Sequence, residues 1–147
     1  MWKQKRLPII LLLIAAGVAG CYLELWGYLI PKITYPPLGP ITRIEIKAGA
    51  SDGQVQVIDE PSKVRRIVEF VDGHLGGWGG ASDWAGVPVP QVTVSLYEGA
   101  EFKGHFGVGP GFFECQRNGQ FASKHCSARE ERQFLELVGL LDYPFTH

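Results

Sequence analysis

Between Leu7 and Ala19 the chain carries an almost unbroken apolar run, Leu-Pro-Ile-Ile-Leu-Leu-Leu-Ile-Ala-Ala-Gly-Val-Ala. Nothing else in the sequence limits its fate as strongly. The run has no polar face, so it cannot lie on the surface of a soluble domain without showing hydrocarbon to water. Lys3, Lys5 and Arg6 precede it, and no acidic residue appears before Glu24. A basic head, an apolar stretch of roughly 7–15 residues and small residues before a cut are the parts of a secretory signal. The basic head stays cytoplasmic whether or not the peptide is cut. The rest of the chain is therefore expected on the far side of a membrane, facing the periplasm or the cell exterior.

The run ends in Val18-Ala19-Gly20-Cys21. This resembles the lipobox of bacterial membrane lipoproteins, over residues 1–21. The resemblance implies that residues 1–20 are removed as a signal peptide. It also implies that the Cys21 thiol takes a diacylglycerol and that the new amino group is acylated, which makes Cys21 the lipid anchor. Several acyl chains matter physically, because a single chain holds a membrane only marginally. Tyr22, where an Asp would favour retention at the inner membrane, implies outer-membrane sorting if the cell has an outer membrane. The apolar character continues through Tyr22-Leu23-Glu24-Leu25-Trp26-Gly27-Tyr28-Leu29-Ile30, whereas mature lipoproteins continue with a polar tether. The alternative is an uncleaved single-pass anchor with a cytoplasmic N-terminus. Pro8 to Ile30 reaches the about 20 residues that a span needs, and Trp26 and Tyr28 suit an interfacial belt.

Residues 31–40 contain Pro31, Pro36, Pro37 and Pro40. They read as a semi-rigid extended linker, so residues 21–40 form a tether and linker and residues 41–147 form the domain. Fourteen basic residues face fifteen acidic ones. Three of the bases lie in the leader, so the domain is mildly acidic. It has no electrostatic footprint for nucleic acid.

Within the domain, Thr42-Arg43-Ile44-Glu45-Ile46-Lys47 and Gln54-Val55-Gln56-Val57 alternate as half-buried strands around a turn at Ala50-Ser51-Asp52-Gly53. Asp59 is a candidate cap for a helix that accepts Pro61 in its first turn. Val64, Ile67, Val68, Val71 and Leu75 then recur at helical spacing. After a long loop, Val92, Val94 and Leu96 mark a strand, and Phe102 and Phe106 another. Gly107 to Gly111 reads as a loop. Asn118-Gly119, between Phe112–Arg117 and Gln120–His125, is a strong hairpin signal. Ser127-Ala128-Arg129-Glu130 is a capping box opening a helix that carries Phe134, Leu137, Val138 and Leu141. The predicted fold is α+β, in the order ββαββββα. An antiparallel sheet of about six strands would carry two amphipathic helices on one face.

The segment Gly76-Gly77-Trp78-Gly79-Gly80-Ala81-Ser82-Asp83-Trp84-Ala85-Gly86 is the oddest in the chain. No Lys-Ser/Thr follows it, so it is not a phosphate loop. It reads either as a binding loop, with Trp78, Asp83 and Trp84 meeting a partner, or as a surface loop whose tryptophans fold back over the core. The four histidines, His74, His105, His125 and His147, read as solvated surface groups. Cys115, His125 and Cys126 fit no zinc spacing, and neither a metal nor a cofactor site is legible. An oxidising compartment makes Cys115 and Cys126 candidates for a disulfide. The Asn-Gly turn, however, pairs Cys115 with Ala122, which leaves Cys126 far along the strand. Asp83, Glu98, Glu101 and Glu114 are dispersed and read as solvated charges, so no catalysis is expected.

The expected role is a membrane-anchored, non-enzymatic binding domain, with an envelope protein or cell-wall glycan as partner. The alternatives are an inhibitor or immunity-type lipoprotein acting on a hydrolase, and an envelope hydrolase. The anchor has a direct test. Cys21→Ser should block processing and leave the full-length precursor, read by intact-mass spectrometry. An unmodified Met1–His147 chain in the wild type would instead establish the membrane helix.

Overall fold

A computed structural model describes residues 14–21, 32–49, 55–80 and 89–145. The chain forms two compact units, Met1–Pro31 and Lys32–His147. The described part of the first is a helix, α1, over residues 14–21. Its described residues are exposed, Cys21 among them. Among the described residues no helix is long and apolar enough to cross a membrane. The basic head, Trp26 and Tyr28 lie outside the described residues.

The second unit runs β1 (Arg43–Ala48), β2 (Val55–Ile58), α2 (Pro61–Asp72), β3 (Gly79–Gly80), β4 (Val92–Glu98), β5 (Glu101–Gly109), β6 (Phe112–Arg117), β7 (Gln120–His125) and α3 (Ala128–Leu137). All strands join one antiparallel sheet in the order β2-β1-β4-β5-β6-β7-β3. The α+β class and the antiparallel sheet hold. The element order departs from ββαββββα, because the two-residue β3 intervenes and pairs Gly79 with Ser123 and Gly80 with Ala122. A third helix, α1, stands in the other unit.

The register explains the core. Ile44 pairs with Leu96, Ile46 with Val94, Val94 with Phe106, Phe106 with Cys115 and Cys115 with Ala122. Directly opposed residues share a face, so these side chains form one apolar surface. Onto it α2 brings Val64, Ile67, Phe70 and Val71, and α3 brings Phe134 and Leu135. The Phe70 ring lies 6.1 Å from Phe106 and 5.9 Å from Phe113. The Phe134 ring lies 5.1 Å from Phe106 and 5.4 Å from Phe70. Edge-on and tilted contacts of this kind add to simple burial.

Local chemistry sets the element ends. Helix α2 is capped by Glu60, not Asp59, and no side chain bonds to its first turn. Its start rests on Pro61, whose ring fixes a helical φ and lacks an N–H to satisfy. At α3 the capping box is complete. Ser127 Oγ accepts from the Glu130 N–H at 3.3 Å, and the Ser127 N–H donates to Glu130 at 2.8 Å. The hairpin turn has Asn118 at φ 53° and Gly119 at φ 75°, the left-handed pair that a two-residue loop requires.

The proline-rich segment is not a linker. Tyr35 is buried and meets the Trp78 ring edge-on at 6.1 Å. Ile33 and Trp78 exchange backbone hydrogen bonds of 2.7 and 3.1 Å, and the Tyr35 N–H donates to the Leu75 carbonyl. The buried Arg117 donates to the Pro36 carbonyl at 2.7 Å, and the Leu38 N–H donates to Asp72 at 2.8 Å. Prolines keep this segment extended, but its intervening Ile33, Tyr35 and Leu38 dock. The fold therefore begins near Lys32, not at Ile41. A fragment of residues 32–147 should melt cooperatively. A fragment of residues 41–147 should lose on the order of 3 kcal/mol or more, because Tyr35 is gone and Arg117 is left unpaired. Urea denaturation of the two fragments measures the difference.

Candidate functional site

Trp78 is a core residue, 1% exposed. Its indole N–H donates to the His74 carbonyl at 2.7 Å, its ring meets Phe106 at 5.8 Å, and the Lys124 ammonium sits 4.5 Å above it. Lys124 also donates to the His74 and Gly76 carbonyls, and burial pushes its ammonium pKa down. The expectation that Trp78 serves as a binding platform is therefore corrected: the glycines around it let the backbone dip so that the ring fills the end of the core. Asp83 and Trp84 lie outside the described residues.

The disulfide is also corrected. Cys115 and Cys126 are free and buried, and the predicted pairing of Cys115 with Ala122 is observed. Burial pushes both thiols up to about 12, so neither offers a thiolate for oxidation.

The sheet face turned away from Phe106 holds an arrangement that sequence reasoning missed. Of the expected loop 107–111, only Pro110 and Gly111 form the turn. Strand β5 continues to Gly109, and Gly109 pairs with Phe112 across a two-residue turn. Gly107 pairs with Glu114, and His105 with Gln116. His105 and Glu114 are thus diagonal neighbours on one face, within reach of long side chains. His105 Nε2 lies 2.8 and 3.0 Å from the two Glu114 carboxylate oxygens.

Glu114 is 1% exposed, while His105 stays partly open. Neither is the solvated surface group expected. A buried carboxylate costs several kcal/mol unless paired, and His105 is its partner. The glycines make the room. A Cβ on Gly107 would lie 2.6 Å from the Pro90 ring and 3.3 Å from Glu114, and one on Gly109 would run into the Phe112 ring. Pro90 therefore covers the strand at Gly107.

The register also defines a transverse row through this site. Glu45 opposes Ser95, Ser95 opposes His105, His105 opposes Gln116, and Gln116 opposes Phe121. The Phe121 ring stands 5.8 Å from His105 and is 46% exposed. With Nε2 held by the carboxylate, Nδ1 is the imidazole nitrogen left for a ligand. Ser95 adds a hydroxyl and Gln116 an amide, both partly exposed. The surface thus combines hydrogen-bonding groups with one aromatic platform.

The other histidines do different work. His74 Nδ1 lies 2.7 Å from the Phe70 carbonyl, and its Nε2 lies 3.5 Å from Glu130, which ties the end of α2 to the start of α3. His125 is exposed, and His147 lies outside the described residues. Among the described residues no three His, Cys, Asp or Glu side chains gather as metal ligands.

Comparison with protein-family models, curated proteins and solved structures returns no match to this chain.

His105→Ala leaves the buried Glu114 carboxyl without its hydrogen-bond partner and should cost about 1–3 kcal/mol in chemical denaturation. A surface histidine would change stability by no more than about 0.5 kcal/mol. Glu114→Gln keeps the shape and an acceptor for the imidazole N–H, and should cost clearly less than His105→Ala.

Proposed function

We propose that the chain is a membrane-anchored, extracytoplasmic binding module without catalysis, and that it binds through the sheet face turned away from α2 and α3. The observation that carries this reading is the row Ser95–His105–Gln116–Phe121. A half-exposed phenyl ring stands beside three hydrogen-bonding side chains. One of them is held in orientation by a buried carboxylate. A buried carboxyl–imidazole contact adds little stability over well-packed apolar residues, which supports a role for this one in binding.

Of the two partner classes, cell-wall glycan suits this surface better than an envelope protein. Sugars offer hydroxyls to amide, hydroxyl and imidazole groups, and an apolar C–H face to an aromatic ring. The anchor belongs to the same proposal. Helix α1 is apolar and exposed along its described length, and it includes an exposed Cys21, the position that takes lipid in the lipoprotein reading.

An envelope hydrolase is the second reading. It is favoured by the His105–Glu114 pair, which has the form of a general base, and by Ser95 opposite His105. An inhibitory role rests on the Gly-Trp loop, from which Trp78 is now removed.

Co-sedimentation of the full chain with insoluble cell-wall glycan tests the proposal. Phe121→Ala and Gln116→Ala should each weaken binding about tenfold, on the order of 1.4 kcal/mol, with an unchanged melting temperature. Arg129→Ala should leave binding as in the wild type. Absence of wild-type binding overturns the glycan reading, and release of soluble sugar fragments replaces it with the hydrolase.

A further inference from the structure

The sheet has two ends of very different character. At one end stands β3, described over Gly79–Gly80 and made of glycine alone. At the other end the outermost strand is β2, Val55-Gln56-Val57-Ile58. Among the described residues nothing pairs with its outer side. Edge strands are ordinarily guarded against pairing by charge, proline, bulges or extreme shortness. Val55–Ile58 carries no charge and no proline, and its pairing with β1 is regular. Val55 and Val57 are each 53% exposed. They oppose Lys47 and Glu45, on the face turned away from the helices. Gln56 opposes Ile46 and is itself exposed.

We propose that this edge pairs with β2 of a second copy of the chain, antiparallel, about a two-fold axis at Gln56. The sequence Val-Gln-Val reads the same in reverse, so it is its own antiparallel complement. With the axis at Gln56, Val55 of each copy opposes Val57 of the other. The half-exposed valines of both copies then join in one apolar patch, and on the opposite face the two Gln56 amides meet. Paired β-branched residues are favourable cross-strand neighbours, and no like charges are set opposite one another. The contact is isologous and closes on itself, as a two-fold interface must.

A strand of this length buries less than the about 1,200–2,000 Å² of a stable free interface. Anchoring compensates, because two domains held at one membrane surface meet at a raised effective concentration. Self-association is therefore a property of the anchored protein, and the edge accepts a second copy more readily than a dilute soluble partner.

The test uses the full chain in membranes with Gln56→Cys. Residues directly opposed across antiparallel strands have Cα atoms about 4.5–5.5 Å apart, inside the about 4.4–6.8 Å that a disulfide spans. Mild oxidation should give a covalent dimer about tenfold above that of Glu101→Cys, which places a thiol far from the edge. That ratio corresponds to about 1.4 kcal/mol of pairing. The unsubstituted chain supplies the baseline for Cys21, Cys115 and Cys126. Adding Val55→Lys and Val57→Lys should return the yield to baseline. If Gln56→Cys does not accumulate, native mass spectrometry of the unsubstituted chain should show a dimer that Val57→Lys abolishes. Equal yields at positions 56 and 101, a monomer in the native spectrum, or a covalent adduct with the mass of a different protein would each overturn the proposal.

Discussion

Burial of Phe106 is the interaction on which the rest of the domain depends. Its ring is fully buried on β5 and touches Phe70 of α2, Phe113 of β6, Phe134 of α3 and Trp78. Both helices thus reach the sheet through a single aromatic cluster. The cluster extends outward in one more step. Trp78 carries Tyr35, and through Tyr35 the proline-rich segment joins the fold. Removing a buried Phe typically costs about 3–5 kcal/mol, a large share of the stability of a domain this size. The polar groups that accompany the cluster are satisfied locally: the indole N–H and the Lys124 ammonium both end on the His74 carbonyl.

Placing both helices over one surface leaves the other surface to polar chemistry. There the chain buries Glu114, and it does so by omitting side chains. Gly107 and Gly109 stand where any Cβ would collide with Pro90 or Phe112. The glycines that look like loop residues are therefore strand residues chosen for space. The Glu114 carboxyl they shelter orients an imidazole in the middle of a row that ends on an exposed ring. A rigid sheet is a precise support for such a row, because strand spacing and register fix the positions of the side chains.

The docked proline-rich segment moves the start of the fold from Ile41 to near Lys32. Arg117 and Asp72 hold residues 36–38 by their backbone, so these residues belong to the fold although their prolines suggest a linker.

Several features were legible from residue order alone because they depend on neighbours in sequence. The alternation of Ile44 and Ile46 and of Val92, Val94 and Leu96, the Asn118-Gly119 turn with its register, and the Ser127–Glu130 capping box are all local and all present. The apolar run ending at Cys21 is likewise a property of the linear chain. What only the tertiary structure decided involves residues brought together across the sheet or from its two ends. Trp78 entered the core because Ile33 and Tyr35 arrive from a segment that reads as a linker. His105 and Glu114 met because β5 continues through Gly107 and Gly109, a continuation that depends on Pro90 and Phe112 filling the space above them. Composition marks those glycines as flexible, and only packing reveals that they are there to be covered.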